Sequence, residues 1–278
     1  MHIRRDFANM SAEECKAQLV RVMDDDGIRI FTDNPVAYVL GISEENDCGE
    51  NDYVTGTTYM SPHLLITGPA GSGKTGFVNT VILSMIRKYK TPEELGLVLI
   101  GKTDELHLFD DIPQLVRPVI TDPAEAAEVL RKTIDLMRDR YNLFEKIDVR
   151  FHWEFNMILD TMERNGKDLH GMKPMPPIVI VIDDLEHILT EETESSIVRI
   201  AQLGGSAGIH LFITASPSDV TPLMNVNFDN RVEFVETGKM LYHSHEWGVK
   251  DHVLYSFLAD PEISRMVLKE PDTWGLKE

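Results

Sequence analysis

From Pro62 onward, short unbroken apolar runs alternate with stretches in which apolar residues return every three or four positions. The runs HLLITG (63–68), GLVLIG (96–101), PPIVIVIDD (176–184) and IHLFITA (209–215) lack polar alternation and predict strands buried on both faces. Between them, Phe77, Val78, Val81, Ile82, Met85 and Ile86 repeat at helical spacing. A second helix is predicted from Asp122, with Asp122 as cap, Pro123 in the first turn and Glu125 three residues after the cap. Its stripe is Ala126, Leu130, Ile134, Met137, Tyr141 and Phe144. This alternation predicts an α/β domain with a mostly parallel central sheet flanked by helices. Later, RVEFVE (231–236), KMLYH (239–243) and HVLYSF (252–257) predict strands, and ADPE (259–262) opens a short helix.

The first 60 residues read differently. Phe7, Met10, Cys15, Leu19, Val20 and Met23 form a helical stripe, with Ser11 as a cap ahead of Glu13 and Glu14. VAYVLGI (36–42) and DYVTGTTY (52–59) predict short strands around the turn SEENDCGEN (43–51). Twelve Asp/Glu stand against five Lys/Arg here, including the run MDDDG at 23–27. We therefore expect an acidic N-terminal segment, residues 1–60, followed by the main α/β domain, residues 61–278.

Composition narrows the function classes. No apolar run approaches the roughly 18 residues of a spanning helix, and MPPIVIVI is cut short by two aspartates. The first residues carry charge without an apolar core of the signal-peptide kind, so a cytoplasmic protein is expected. Cys15 and Cys48 stand far apart, with neither zinc-site spacing nor a disulfide framework. The formal net charge of −19 has the wrong global sign for a protein resting on a phosphate backbone. A local basic lining inside an acidic shell remains compatible with it.

The candidate chemistry centres on Gly68-Pro69-Ala70-Gly71-Ser72-Gly73-Lys74-Thr75, a full match to the P-loop pattern between a predicted strand and a predicted helix. Residues Gly68 to Gly76 would turn backbone N–H groups toward ATP phosphates at a helix N-terminus. Lys74 would bridge the β and γ phosphates, and the Thr75 hydroxyl would complete the shell of Mg2+. Asp183, closing IVIVID, supplies the second carboxylate that holds the metal through water. Glu186 is either a rescue carboxylate or a surface charge. His243, His245 and His252 lack a companion carboxylate or cysteine at ligand spacing, so they read as hairpin residues. Trp153 and Trp247 read as core or interface anchors.

Around this motif the chain resembles the FtsK/SpoIIIE DNA translocases, hexameric RecA-like ATPases that pump double-stranded DNA. The resemblance rests on PHLLITGPAGSGKTGFVNTVILSMI with Asn79, on LVLIGKTDELHLFDDIPQLVRPVITD, on AAEVLRKTIDLMRDRYNLF and on AGIHLFITASP. These landmarks fall in order between about Pro35 and Lys269. They imply a RecA-like P-loop fold, ATP and Mg2+ as cofactors, double-stranded DNA as partner, and a homo-oligomer in the form of a hexameric ring.

The departures from that family are as specific. The residue after Asp183 is usually glutamate, which polarises the attacking water; here it is Asp184, one methylene shorter. Asp184 reads either as a slower catalytic base or as a mark of weak hydrolysis. Gly101-Lys102-Thr103 replaces Asp-Pro-Lys, and Thr214-Ala215-Ser216-Pro217 replaces Thr-Gln-Arg-Pro, where the glutamine senses the γ-phosphate. AQLGGSAG lacks the basic residues of a trans-acting finger, and a family segment between RVEFV and GKMLY is missing. Arg231 stands at the family's arginine position. Between residues 121 and 150, seven Asp/Glu counter six Lys/Arg, so no basic stripe marks a DNA face. The resemblance thus leaves three readings open: a divergent DNA motor, a weakly hydrolysing assembly module resembling type VII secretion ATPase domains and acting on a protein partner, or a conjugation or packaging motor.

Overall fold

The computed structural model describes residues 11–23, 36–43, 53–59, 61–102, 104–244 and 249–269. Phe7, Met10, Cys48, the turn at 44–51, most of the acidic run at 24–27, His245, Trp247 and the side chain of Cys15 lie outside the described residues.

The apolar runs form strands where their pattern places them: β1 Ala37–Ser43, β2 Tyr53–Thr57, β3 Leu64–Thr67, β4 Gly96–Gly101, β5 Ile178–Asp183 and β6 Ile209–Ala215. Three more follow, β7 Asn230–Glu236, β8 Lys239–Ser244 and β9 Val249–Tyr255. The helices are α1 Ala12–Met23, α2 Lys74–Lys88, α3 Pro123–Lys146, α4 His152–Arg164, α5 Glu191–Leu203, α6 Pro222–Asn227 and α7 Pro261–Leu268. Side-chain caps start several of them. Ser11 Oγ accepts from the Glu14 N–H while the Glu14 carboxylate accepts from the Ser11 N–H, a reciprocal capping box. Asp122 caps α3 through the Glu125 N–H at 2.8 Å, and Asp260 caps α7 through the Ile263 N–H at 2.8 Å.

The nine strands among the described residues join one sheet in the order β2-β1-β9-β8-β7-β3-β6-β5-β4. The expected mostly parallel sheet is seen in part, over the half that carries β7, β3, β6, β5 and β4. Pairings β7–β3, β3–β6, β6–β5 and β5–β4 are parallel, whereas β2–β1, β1–β9, β9–β8 and β8–β7 are antiparallel. The physical reason lies in the connections. Parallel neighbours need helical crossovers, such as α3 and α4 between β4 and β5 and α5 between β5 and β6, whereas β7 and β8 are joined by the turn at Thr237-Gly238, which reverses the chain. Their burial also alternates, with Val232 and Phe234 buried and Glu233 and Val235 exposed, as in a sheet wetted on one face.

Two cores sandwich this sheet. One packs Phe77, Val81, Ile82 and Met85 of α2 against Tyr38, Leu40 and Ile42 of β1 and against Ile263 and Val267 of α7. The other packs Leu130 and Met137 of α3 and Ile197 and Ile200 of α5 against Ile180, Ile182, Leu211 and Ile213. Among the described residues no helix is long and apolar enough to cross a membrane. The stripe on α3 behaves as its spacing predicts, with Ala126, Leu130, Met137 and Phe144 buried. Arg140 on the same helix is also buried, donating to the Ala207 and Pro176 carbonyls at 2.7 and 2.8 Å, so it acts as a structural strut. Trp153 stacks on Phe151 with ring centroids 6.0 Å apart.

Candidate nucleotide site

The parallel half of the sheet brings the site residues together. Strands β3, β6 and β5 are adjacent, and their C-terminal ends carry the P-loop, the Thr214–Asp219 segment and the Asp183-Asp184 pair. Open α/β sheets bind ligands at this edge.

Helix α2 begins at the loop with features that suit an anion. Its cap, Gly73, has φ of 100°, offers no side-chain cap, and the first turn holds no acidic residue. By contrast α1, α3 and α7 fill their N-terminal N–H groups with Ser11, Asp122 and Asp260. The uncapped donors and the positive end of the helix dipole leave α2 a phosphate seat. A Cβ on Gly73 would lie 2.9 Å from both Leu258 methyls as well as needing a left-handed backbone, so only glycine fits.

Lys74 Nζ arches back over the loop, donating to the Gly68 carbonyl at 2.7 Å and the Pro69 carbonyl at 3.0 Å. Partial burial lowers its pKa, opposed by the negative charges of Asp183, Asp184 and Asp219. Thr75 Oγ1 lies 3.1 Å from Asp183 Oδ2. A hydroxyl beside a buried carboxylate is the donor set a magnesium ion takes in a P-loop, with phosphates and water completing the shell. Among the described residues no three His, Cys, Asp or Glu converge to hold a cation without such help. Ser72 Oγ is buried with no hydrogen-bond partner, an unsatisfied group on the wall of the cradle. The residues present therefore fit magnesium and a triphosphate.

Thr214, absent from the sequence-derived site, is its central strut. Its hydroxyl donates to Asp183 Oδ1 at 2.8 Å and accepts from the Asp184 N–H at 2.7 Å. One buried side chain thus holds the Asp183 carboxylate and the Asp184 backbone. Asp184 is exposed at φ 73° and ψ 77°, a left-handed conformation that Asp tolerates better than longer acids. Glu186 is exposed in the turn that follows and joins none of these contacts.

The other departures have local explanations. Gly101 pairs with Asp183 across β4 and β5, and a Cβ there would lie 2.7 Å from Leu106 and 2.9 Å from the Asp183 carbonyl. At Gly204 and Gly205 a basic side chain has no room either, since Cβ atoms there would collide with Ile200 and Pro62. The missing segment leaves a tight turn at Thr237-Gly238 between β7 and β8, whose Gly238 N–H donates to the Ser72 carbonyl at 3.3 Å. Arg231 is held within its own chain, donating to the Phe228 carbonyl at 2.8 Å and to Asn225 Oδ1 at 2.6 Å. Asn79 and Glu105, landmarks of separate motifs, meet at 3.2 Å, and Asn79 also donates to the Ala259 carbonyl at 3.0 Å. His243 lies 3.5 Å from Asp251, and His252 shares a 3.0 Å hydrogen bond with the Ser43 hydroxyl.

With this geometry in view, the likenesses to known proteins become specific. Residues 40–220 match the FtsK/SpoIIIE family. A DNA translocase FtsK from Clostridium tetani is 35% identical over 229 residues, covering 80% of this chain and 29% of that protein. The chain thus spans under a third of the curated relative. Among solved structures, the Thermomonospora curvata EccC (ATPases 2 and 3) in complex with a signal sequence peptide superposes with a TM-score of 0.66 at 15% identity, over 86% of this chain and 48% of that one. The pCW3 conjugation coupling protein TcpA, a monomer form with ATPγS, gives 0.64 at 17% identity, over 88% and 72%. Both show a shared P-loop ATPase fold.

Proposed function

Because the chain belongs to the FtsK/SpoIIIE family, we propose that it is an ATP-hydrolysing motor domain that moves double-stranded DNA within a ring of its own copies. The observation that carries the nucleotide half of this reading is the Thr75–Asp183–Thr214–Asp184 chain of contacts beside an uncapped P-loop helix. The DNA half is supported by the translocase relative, of which this chain covers only the share given above.

In this reading Gly68 to Gly76 wrap the phosphates. Lys74 exchanges its Gly68 and Pro69 carbonyl partners for β- and γ-phosphate oxygens. Thr75 and Asp183 would hold magnesium, and the bound ion would supply charge neutralisation on the phosphates. Asp184 accepts a hydrogen bond from the attacking water and takes its proton. Its main-chain N–H is pinned to Thr214, so the carboxylate swings only about its own side-chain torsions. Ala215 ends β6 level with Thr67 on β3. Its methyl carries no hydrogen-bonding group to sense the γ-phosphate.

That last point favours a second reading, an ATP-binding module that turns over slowly and assembles on a protein partner. The two separate in a displacement assay. A motor strips a third strand from linear duplex DNA when ATP is added, and Lys74→Ala abolishes the activity. ATP binding without any displacement, and a single particle size with and without nucleotide, contradicts the motor reading and selects the module.

A further inference from the structure

The C-terminal half of α3, Phe155 of α4 and the strap 170–176 enclose a cleft of about 760 Å³, a size common to small-molecule sites. The strap leads into β5 at Ile178 and Asp183 closes that strand, so the cleft lies at the opposite edge of the sheet from the P-loop. Its apolar walls include Leu136, Leu143, Ile147, Met172 and Met175. Charge is distributed unevenly around them. Arg140, Lys146 and Lys173 line the same cleft, and Asp139 is the one acid among its described lining residues, in a chain whose net charge is −19. Among the described residues none of these three cations is in an ion pair. His170, which also lines the cleft, lies 3.1 Å from Asp168. The buried Arg140 guanidinium donates to main-chain carbonyls, so it is hydrogen-bonded yet not neutralised, and burial pushes its pKa down to about 10. A buried charge without a counter-ion favours an anion beside it. The strap leaves little backbone for a peptide to pair with. The Met175 N–H and carbonyl are both held by the Asn156 side chain at 2.8 Å, the Pro176 carbonyl accepts from Arg140, and Pro174 and Pro176 have no N–H. An extended polypeptide laid here would bury unpaired amides. An alkyl chain brings none.

We propose that this cleft binds an aliphatic carboxylate, with its alkyl chain along Leu143, Ile147, Met172 and Met175 and its carboxylate at the Lys146 and Lys173 ammoniums. Both lysines are exposed, so they reach the anion without prior desolvation, and the Arg140 charge adds a fixed field from the buried side of the cleft. The two methionines are unbranched and adjust to chains of differing length. Binding here is independent of the nucleotide reading, because no residue of the cleft belongs to the P-loop or to the Asp183-Asp184 pair.

The test is titration calorimetry on the full chain with octanoate, decanoate and decyltrimethylammonium, each below its micelle concentration. Decanoate binds at one saturable site, about tenfold tighter than octanoate because two more methylenes leave water. The cationic amphiphile binds at least tenfold more weakly than decanoate. Replacing both exposed lysines, Lys146→Gln with Lys173→Gln, weakens decanoate by about tenfold through the lost charge-assisted contacts. Leu136→Trp narrows the cleft and weakens it severalfold, and each variant melts as a folded protein with ATPγS affinity equal to wild type. Equal affinity for the two amphiphiles, or decanoate binding unchanged in the folded double-lysine variant, overturns the proposal. It is also overturned if a leucine-rich peptide with a free C-terminal carboxylate displaces decanoate and binds tighter, which gives the cleft to a polypeptide, or if self-association buries it and is lost in Leu136→Trp. Each of these results leaves the nucleotide site standing.

Discussion

Lengthening one carboxylate should pull rate and stability in opposite directions. In Asp184→Glu the extra methylene advances the carboxylate by about 1.5 Å, and errors of about 1 Å in placement cost on the order of a hundredfold in rate. If the short side chain limits the attack of water, kcat rises by up to about a hundredfold, equivalent to about 2.7 kcal/mol of barrier. The backbone pays for it. Residue 184 sits at φ 73° and ψ 77°, where an Asp side chain finds local hydrogen bonds that Glu reaches less well, so the folded state loses about 1 kcal/mol. For a domain of this size that lowers Tm by about 2–4 °C. Steady-state phosphate release at saturating ATP and a thermal melt on the same preparation read both effects, with Asp184→Asn as the uncharged control. An unchanged or lower kcat in a folded Glu variant refutes the idea that carboxylate reach is limiting.

Thr214→Val removes the hydroxyl shared by Asp183 and the Asp184 N–H. It should cost about 2 kcal/mol in chemical denaturation and weaken magnesium-dependent ATP binding, and Thr214→Ser should restore most of both. Burial holds the imidazoles of His63, His152 and His210 neutral, with pKa values pushed down to about 3. Because the unfolded chain takes protons below about pH 6.5 and the folded chain does not, stability is full above that pH and declines toward pH 3. At pH 5.5 each histidine contributes a loss of about 1.4 kcal/mol, so urea denaturation at pH 7.5 and 5.5 should differ by about 4 kcal/mol from these three. A flat profile contradicts their buried neutral state. Arg231→Ala frees Asn225 and the Phe228 carbonyl, so its melt should fall by a few degrees, about 1 kcal/mol, with ATP affinity unchanged.

The parts of the fold legible in sequence were those whose signal is local. Unbroken runs such as 178–183 and 209–215 marked central strands, and Asp122-Pro123 announced α3. Helix α4 carried no such announcement. Its start is satisfied from within, by the Glu154 carboxylate accepting from the Arg150 and Phe151 N–H groups at 2.9 and 3.1 Å, and the cap position is Phe151, not Ser, Thr, Asp or Asn. Helix α5 has a local cap in Thr190, whose hydroxyl accepts from the Thr193 N–H at 3.2 Å. The antiparallel half of the sheet was also legible in part, since Thr237-Gly238 between two alternating runs is a hairpin signature. At the site, Lys74, Thr75 and Asp183 were read from motif spacing. Thr214 was not, because its role arises only when β6 settles between β3 and β5. No pattern along the chain records that neighbourhood.

The most direct measurement is the rate of ATP turnover with and without linear double-stranded DNA at low salt. Low salt is needed because a chain of net charge −19 binds a polyanion against its own field. A motor built on this site turns over ATP and is accelerated severalfold or more by DNA, with Lys74→Ala silent under both conditions. Tight ATP binding with no turnover and no response to DNA contradicts the account.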